Sequence, residues 1–465
     1  MTTPIAQYQG VIIASGPQPW QVLQRATDGN ASVTLTGAWK NDAPSVVEVR
    51  VASEDTQGPA AGCDWQKAEM LAEQQWQITL RIPTGGLYRI ETRLHQCDAE
   101  WRLTGDKIWH IAVGDLWVIA GQSNAVGYGH GLVHDPPQLG VALFGGDEQW
   151  RLATHPIFDP TNTKHPANRD GGWVDISPWL AFAKAIYTAT HVPIGLIPTA
   201  LGGSPMDAWD PGHENPYLYQ NMLAHIAAAG GRVAGMTWYQ GESDCSLELA
   251  PTYVRRFSRM VEDFRQRFGA ETPVVTVQLN RHLFDGDDHS QRSWTMLREA
   301  QCQAARLLPR VAVIPSLDLT LADGIHISGV GNIALGERCA LTALGMAYHP
   351  DIQWHAAEVR DANFSNTERT EVHLRFAHVI DHLLFLAQRP ADYVVEDNDG
   401  LIPSSNTYVD GTDCVVLTLT RPAGAGAVVH GNYGINPPST LRDHLHRPVL
   451  GFYGLAITEE SQLQS

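Results

Sequence analysis

Five short apolar runs constrain the fold of this chain more than any other feature: Leu116–Ala120, Ile194–Pro198, Val233–Tyr239, Pro273–Leu279 and Val311–Ile314. Runs of this length are too brief for a helix and lack the alternation of a strand with one wet face. They read as strands buried on both sides. Helical periodicity fills the gaps between them. Leu249, Tyr253, Phe257, Met260, Val261, Phe264 and Phe268 recur at three and four, with Arg255, Arg256, Arg259, Glu262 and Arg265 around that stripe. A second helix is predicted over 179–190 behind Pro178, and a last one ends near Gly345. Strand alternating with helix predicts an α/β parallel sheet with helical crossovers over residues 109–348.

The flanks follow a different rhythm. Residues 45–51, 76–82 and 87–94 alternate apolar with polar, so 1–108 is expected to be a β-rich N-terminal domain, a small antiparallel sandwich. Residues 370–376, 393–395 and 414–419 are strand-like, and Asp397-Asn398-Asp399-Gly400 is a turn signal, so 349–465 is expected to be a second β-rich domain. At 465 residues the chain exceeds what one hydrophobic core usually supports, in keeping with three units. One stretch, Tyr128 to Asp175, is rich in Pro, Gly, His and Asp without periodicity. It is expected to be a long irregular loop, of the kind that forms a rim or lid.

The formal net charge of −18, with no basic run, argues against a nucleic-acid partner, because such a surface gathers Lys and Arg. No stretch offers the ~20 apolar residues of a membrane helix. The start, Met1 to Gln7, has no basic segment ahead of an apolar one, so a cytoplasmic chain without a membrane partner is expected, the alternative being a periplasmic or secreted one from which a signal has been trimmed. The six cysteines lack the paired spacings of zinc or redox motifs. Cys63 and Cys97 could bridge, but free thiols are the expectation, with no metal and no cofactor.

Chemistry enters at Gly121-Gln122-Ser123-Asn124, which follows the first apolar run and places a hydroxyl where a buried strand leaves the sheet. Past the last run, Asp323-Gly324-Ile325-His326 supplies an imidazole and a carboxylate from one short loop. Ser123 as nucleophile, His326 as base and Asp323 as its orienting acid would serve acyl transfer. Donors for the oxyanion are available from the glycines of Ala200–Pro205 and from the carboxamide of Gln240. All of these segments lie at the carboxyl ends of parallel strands, where open α/β sheets bind ligands. Ala125, two residues after the serine, argues against the Gly-x-Ser-x-Gly elbow of α/β-hydrolases.

Four segments together resemble the SGNH hydrolases, and among them the sialate O-acetylesterase-like carbohydrate esterases: residues 114–124, 201–209, 238–244 and 323–326. The resemblance implies an SGNH-type three-layer core flanked by accessory β-domains. It implies a metal-free acetylesterase with Ser123, His326 and Asp323 as the triad, and with the Ser123 and Gly203 N–H groups and Gln240 as the oxyanion hole. Where the family commonly has Met, Ala125 stands here, which would open the pocket floor. Trp209, Trp173 and Glu242 are the candidate substrate-binding residues. The expected partner is an acetylated plant-type oligosaccharide such as a xylan or xyloglucan fragment. The alternatives are a sialate O-acetylesterase, for which Arg169 and Arg281 are the nearest basic residues, a GDSL-type lipase or esterase, and a non-catalytic carbohydrate-binding protein.

Overall fold

The structure, a computed structural model, describes residues 10–388 and 392–459. Its spine is a 20-residue strand, β1 (Arg102–Gly121), whose first half is half-exposed and whose second half, from Ile111, is buried throughout. That change in burial marks a change of partners. The first half pairs antiparallel with Gly85–Gln96. The second half pairs parallel with β3 (Ile194–Pro198) on one side and β4 (Gly235–Tyr239) on the other. A single strand therefore belongs to both the N-terminal β-region and the central sheet, and the boundary expected at 108 falls inside it.

The central sheet runs in the order β2 (Val141–Phe144), β3, β1, β4, β5 (Val274–Val277), β6 (Val311–Ile314), with Trp150–Leu152 antiparallel at its edge. All five apolar runs are strands. β2 was not expected, and it corrects the reading of 128–175 as wholly irregular. Four apolar residues are too few to show a period, yet they pair with β3 and are buried.

The crossovers are helices: α1 (Ser123–Val126), α2 (Trp179–Thr190), α3 (Tyr217–Ala229), α4 (Tyr253–Phe268), α5 (Asp288–Leu307) and α6 (Gly329–Ala347). α2 packs on α6, and α4 on α5. Trp117 of β1 meets Phe182 of α2 edge to face at 5.1 Å, both fully buried. Burying such a side chain contributes roughly 1.5–3 kcal/mol. Arg256 departs from the expected solvated face of α4. It is buried, with guanidinium nitrogens 2.8 Å from Asp244 and 3.0 Å from Asp207.

The N-terminal region is two sheets over one core. Val47, Val49 and Val51 from one sheet face Trp76, Leu80 and Ile82 from the other, which is the period-2 pattern of the sequence. The C-terminal region is an eight-stranded sheet with a two-stranded companion and its own core, including Val372, Leu374, Val395, Val415 and Leu417.

Polar clips lock the C-terminal region to the centre. The Gln278 carboxamide, just past β5, donates to Gly451 O (2.8 Å) and accepts from Gly451 N (2.9 Å). Arg298 of α5 is fully buried without a carboxylate and donates to five backbone carbonyls: Leu279, Asn280, Asn432, Gly434 and Ile435. All six cysteines, Cys63 and Cys97 included, are free. Among the described residues no helix is long and apolar enough to cross a membrane.

Candidate active site

β1 and β4 end level, with Gly121 opposite Tyr239, and β3 ends beside Ile119. The loops that follow these three strands therefore converge at one point of the sheet edge. Ser123 sits at the centre of it. Gly121 makes the sharp exit possible: its φ is +128°, and a Cβ there would lie 2.1 Å from Tyr239 O. Gln122 then fixes the neighbouring loop, its side-chain oxygen accepting from Gly241 N (3.2 Å) and Ser243 N (3.3 Å).

Ser123, 7% exposed, has its hydroxyl 2.9 Å from His326 Nε2. His326 Nδ1 is 2.7 Å from Asp323 Oδ2, and the other oxygen of Asp323 accepts the backbone N–H groups of Ile325 (2.8 Å) and His326 (2.7 Å). Partial burial pushes the Asp323 carboxyl up, but the hydrogen bonds from the His326 side chain and from these two amides outweigh it. The group is held below its ordinary range and stays ionised. An ionised carboxylate on Nδ1 keeps Nε2 free to accept the serine proton.

Asn124 joins the two halves of this arrangement. Its carbonyl oxygen accepts from Ile327 N (3.0 Å), and its amide donates to Ile325 O (3.3 Å) and Glu242 Oε1 (2.7 Å), so it grips the backbone on both sides of His326. Sequence reasoning left Asn124 without a role, although it stands inside the quoted motif.

The Leu201–Ser204 turn is pinned on Gly121 O by Leu201 N (3.1 Å) and Ser204 Oγ (3.3 Å). Asp170 holds it from the other side. This carboxylate is 7% exposed and accepts from Gly202 N (2.8 Å), Gly172 N (2.7 Å) and the Tyr128 hydroxyl. Tyr128 in turn sets its ring edge against the His326 imidazole, with centroids 4.8 Å apart. Asp170 and Tyr128 both come from the aperiodic 128–175 stretch, where no pattern singles out a residue. Among the described residues the N–H groups of Ser123 and Gly203 have no acceptor, and a Cβ at Gly203 would meet open space.

Several expected roles change in the structure. Gln240 was expected to donate to an oxyanion, yet its amide nitrogen already donates to Asp244 Oδ2 (2.6 Å) and Ser204 O (3.1 Å). With both hydrogens engaged it braces the loop. Trp209 was expected to stack on sugar but is 0% exposed, its indole N–H on Ser204 Oγ (3.0 Å) and its ring edge-on to Trp238. The Glu242 carboxylate is turned inward. Burial raises its pKa against the opposing pull of Asn124, and its second oxygen is buried with no hydrogen-bond partner among the described residues. Ala125 lies in the core with its carbonyl accepting from Trp179 Nε1 (2.6 Å), so it does not floor a pocket. Trp173 is 84% exposed. Among the described residues, Asp381, His382 and His444 place possible cation-ligand atoms within 4.8 Å of one another, just before strand Leu383–Phe385 and just after strand Leu441–Asp443.

A hydroxyl, an imidazole and an ionised carboxylate in series, beside unengaged backbone N–H groups, are the equipment of an acyl-transfer hydrolase. The chain belongs to the carbohydrate esterase, sialic acid-specific acetylesterase family, whose pattern it matches over residues 113–345, and so to the carboxylic ester hydrolases. A probable carbohydrate esterase of Arabidopsis thaliana is 25% identical over 251 residues, 49% of this chain and 88% of the relative. Human sialate O-acetylesterase is 29% identical over 111 residues, 19% of this chain and 21% of the human protein. A crystal structure of a carbohydrate acetylesterase from Xanthomonas citri aligns with a TM-score of 0.65 at 22% identity, covering 94% of this chain and 99% of that one. At that identity the likeness is one of fold.

Proposed function

We propose that this chain is a serine O-acetylesterase acting on acetylated plant-type oligosaccharides such as xylan or xyloglucan fragments, on an SGNH-type core braced by two accessory β-regions. The continuous series Ser123 Oγ, His326 Nε2, His326 Nδ1, Asp323 Oδ2, with links of 2.9 and 2.7 Å, is the observation that carries the reading.

Ser123 Oγ attacks the acetyl carbonyl carbon as its proton passes to His326 Nε2, and the carbonyl π electrons move onto oxygen. The Ser123 and Gly203 N–H groups receive that oxyanion, each such donor being worth about 10²–10³ in rate. Collapse breaks the bond to the sugar oxygen, which takes the proton from His326 and leaves. Water, deprotonated by the same imidazole, then attacks the acetyl-serine carbonyl carbon, and the bond to Ser123 Oγ breaks as that oxygen takes the proton back from His326, releasing acetate. Asp323 stabilises the imidazolium in both halves.

The formal charge of −18 supports a neutral glycan over an anionic sialate, since long-range repulsion slows encounter with a like-charged sugar. The family description and the human relative favour the sialate reading, so both substrate types belong in one screen. Ser123→Ala should stay folded and release negligible p-nitrophenol from p-nitrophenyl acetate. Near-parental turnover in that variant would exclude Ser123 as nucleophile. Acetate released only from O-acetyl sialic acids would replace the plant-glycan assignment.

A further inference from the structure

One exposed aromatic residue is built into the His326 loop. Phe284, in the segment between β5 and α5, is 61% exposed. Exposed phenylalanines on long loops are common and usually carry no role. Phe284 differs in how it is held. Its neighbour Leu283 donates its N–H to Gly324 O at 2.8 Å, which fastens the segment to the Asp323–His326 loop. The ring rests against Gly324 itself: a Cβ on that residue would lie 2.3 Å from Phe284 Cε2, so the glycine leaves the space the ring occupies.

Behind it, His282 sits edge-on at 4.9 Å and stacks in parallel on the buried Trp294 of α5, with centroids 5.2 Å apart. His282 N also donates to Ile435 O at 2.9 Å. An aromatic series therefore runs from the core through His282 to an apolar surface two residues from the base. On the other side of His326, Tyr128 lies edge-on to the imidazole and packs against Gly172, next to the exposed Trp173.

Keeping a large apolar ring in water, on a fixed mount beside a reaction centre, is the arrangement by which proteins take the C–H faces of sugar rings. Resting on the proposed acetylesterase function, we infer that Phe284 is the stacking platform for a pyranose ring of the acetylated oligosaccharide. The platform binds the carbohydrate and leaves the acetyl group to Ser123. Stacking reads the apolar face of the ring and by itself supplies no cation for a carboxylate.

The test compares kcat/KM on acetylated xylo-oligosaccharides and on p-nitrophenyl acetate for the full chain, Phe284→Ala and Phe284→Tyr. Phe284→Ala should lose roughly tenfold more on the oligosaccharides than on the small ester, mostly in KM, and Phe284→Tyr should restore most of the loss. Equal losses on both substrates in the alanine variant, or failure of tyrosine to rescue, would overturn the platform while leaving the esterase reading intact. A larger loss on p-nitrophenyl butyrate than on acetate, without an oligosaccharide effect, would overturn it in favour of an acyl-chain surface. A parental enzyme that cleaves p-nitrophenyl acetate but no acetylated oligosaccharide would overturn the function reading and the platform together.

Discussion

Asp170 is where a single substitution should separate binding from turnover. Its carboxylate accepts from Gly202 N, Gly172 N and the Tyr128 hydroxyl. Asp170→Ala removes from a buried position the two oxygens that serve all three donors. Each donor left without an acceptor costs about 1–3 kcal/mol, so with some relief from entering water the stability loss should be about 3 kcal/mol. The effect on rate has a different origin. Gly203 follows Gly202, and freeing Gly202 N–H lets that peptide turn, moving the Gly203 N–H off the proposed oxyanion position. Losing one such donor is worth about 10²–10³ in kcat, so about a hundredfold fall is expected, with KM little changed because the contact exists only in the transition state.

Asp170→Asn should fall in between. One orientation of its amide restores the Gly202 acceptor, although Gly172 N–H is then opposed. Tyr128→Phe keeps the ring edge on His326 and loses only the hydroxyl, so its kcat should stay within about tenfold of the parent. The assay is steady-state release of p-nitrophenol from p-nitrophenyl acetate, at a temperature where thermal melts show each variant folded. A folded Asp170→Ala that keeps kcat within about threefold of the parent would refute the coupling of this carboxylate to the oxyanion turn.

Two further outcomes concern stability. His225 is fully buried, stacked on His165 at 3.8 Å, and burial reinforced by the His165 charge lowers its pKa to about 4. The folded state holds it neutral while the unfolded chain takes up a proton below about 6.5. Its contribution is therefore whole above pH 6.5 and is lost as pH falls toward 4, by up to about 3 kcal/mol. His225→Gln should flatten urea midpoints across that window, and an unchanged slope would exclude this histidine as the cause. Arg298→Met should cost at least ~3 kcal/mol in denaturant unfolding, because it leaves buried carbonyls on two regions without a donor. A loss below ~1 kcal/mol would show that the Gln278–Gly451 clip and apolar contacts suffice to hold the C-terminal region.

What the sequence disclosed depended on how local the signal was. Buried strands write their apolar character into consecutive residues, so β3 and β6 could be bounded from composition alone. Ser123, Asp323 and His326 stood out because their chemistry is rare and their motifs sit at strand ends. Gln240 and Trp209 misled for a shared reason: donor capacity and aromatic area are visible in a residue type, but prior engagement is not. Whether Gln240 is free depends on Asp244, which Arg256 holds in place from α4. Asp170, Phe284 and the strand β2 were invisible because their meaning lies in contacts with segments 30 or more residues away, and nothing periodic announces such contacts.

The long strand β1 also imposes an order on synthesis. The sandwich that pairs with its first half is complete once residue 121 has emerged, so that half can fold during translation. Val22–Gln24 already pairs with Ala112–Gly114, but the last residues, Asp115 to Gly121, must wait for β3 at 194 and β4 at 235 before either edge is paired. In the interval the nascent chain displays Leu116-Trp117-Val118-Ile119-Ala120 as an apolar strand open on both sides, fixed in an extended shape by the finished domain behind it. Such an edge is a template for pairing with other chains. The strand that later aims Ser123 is therefore the segment of the growing chain most open to pairing with another chain.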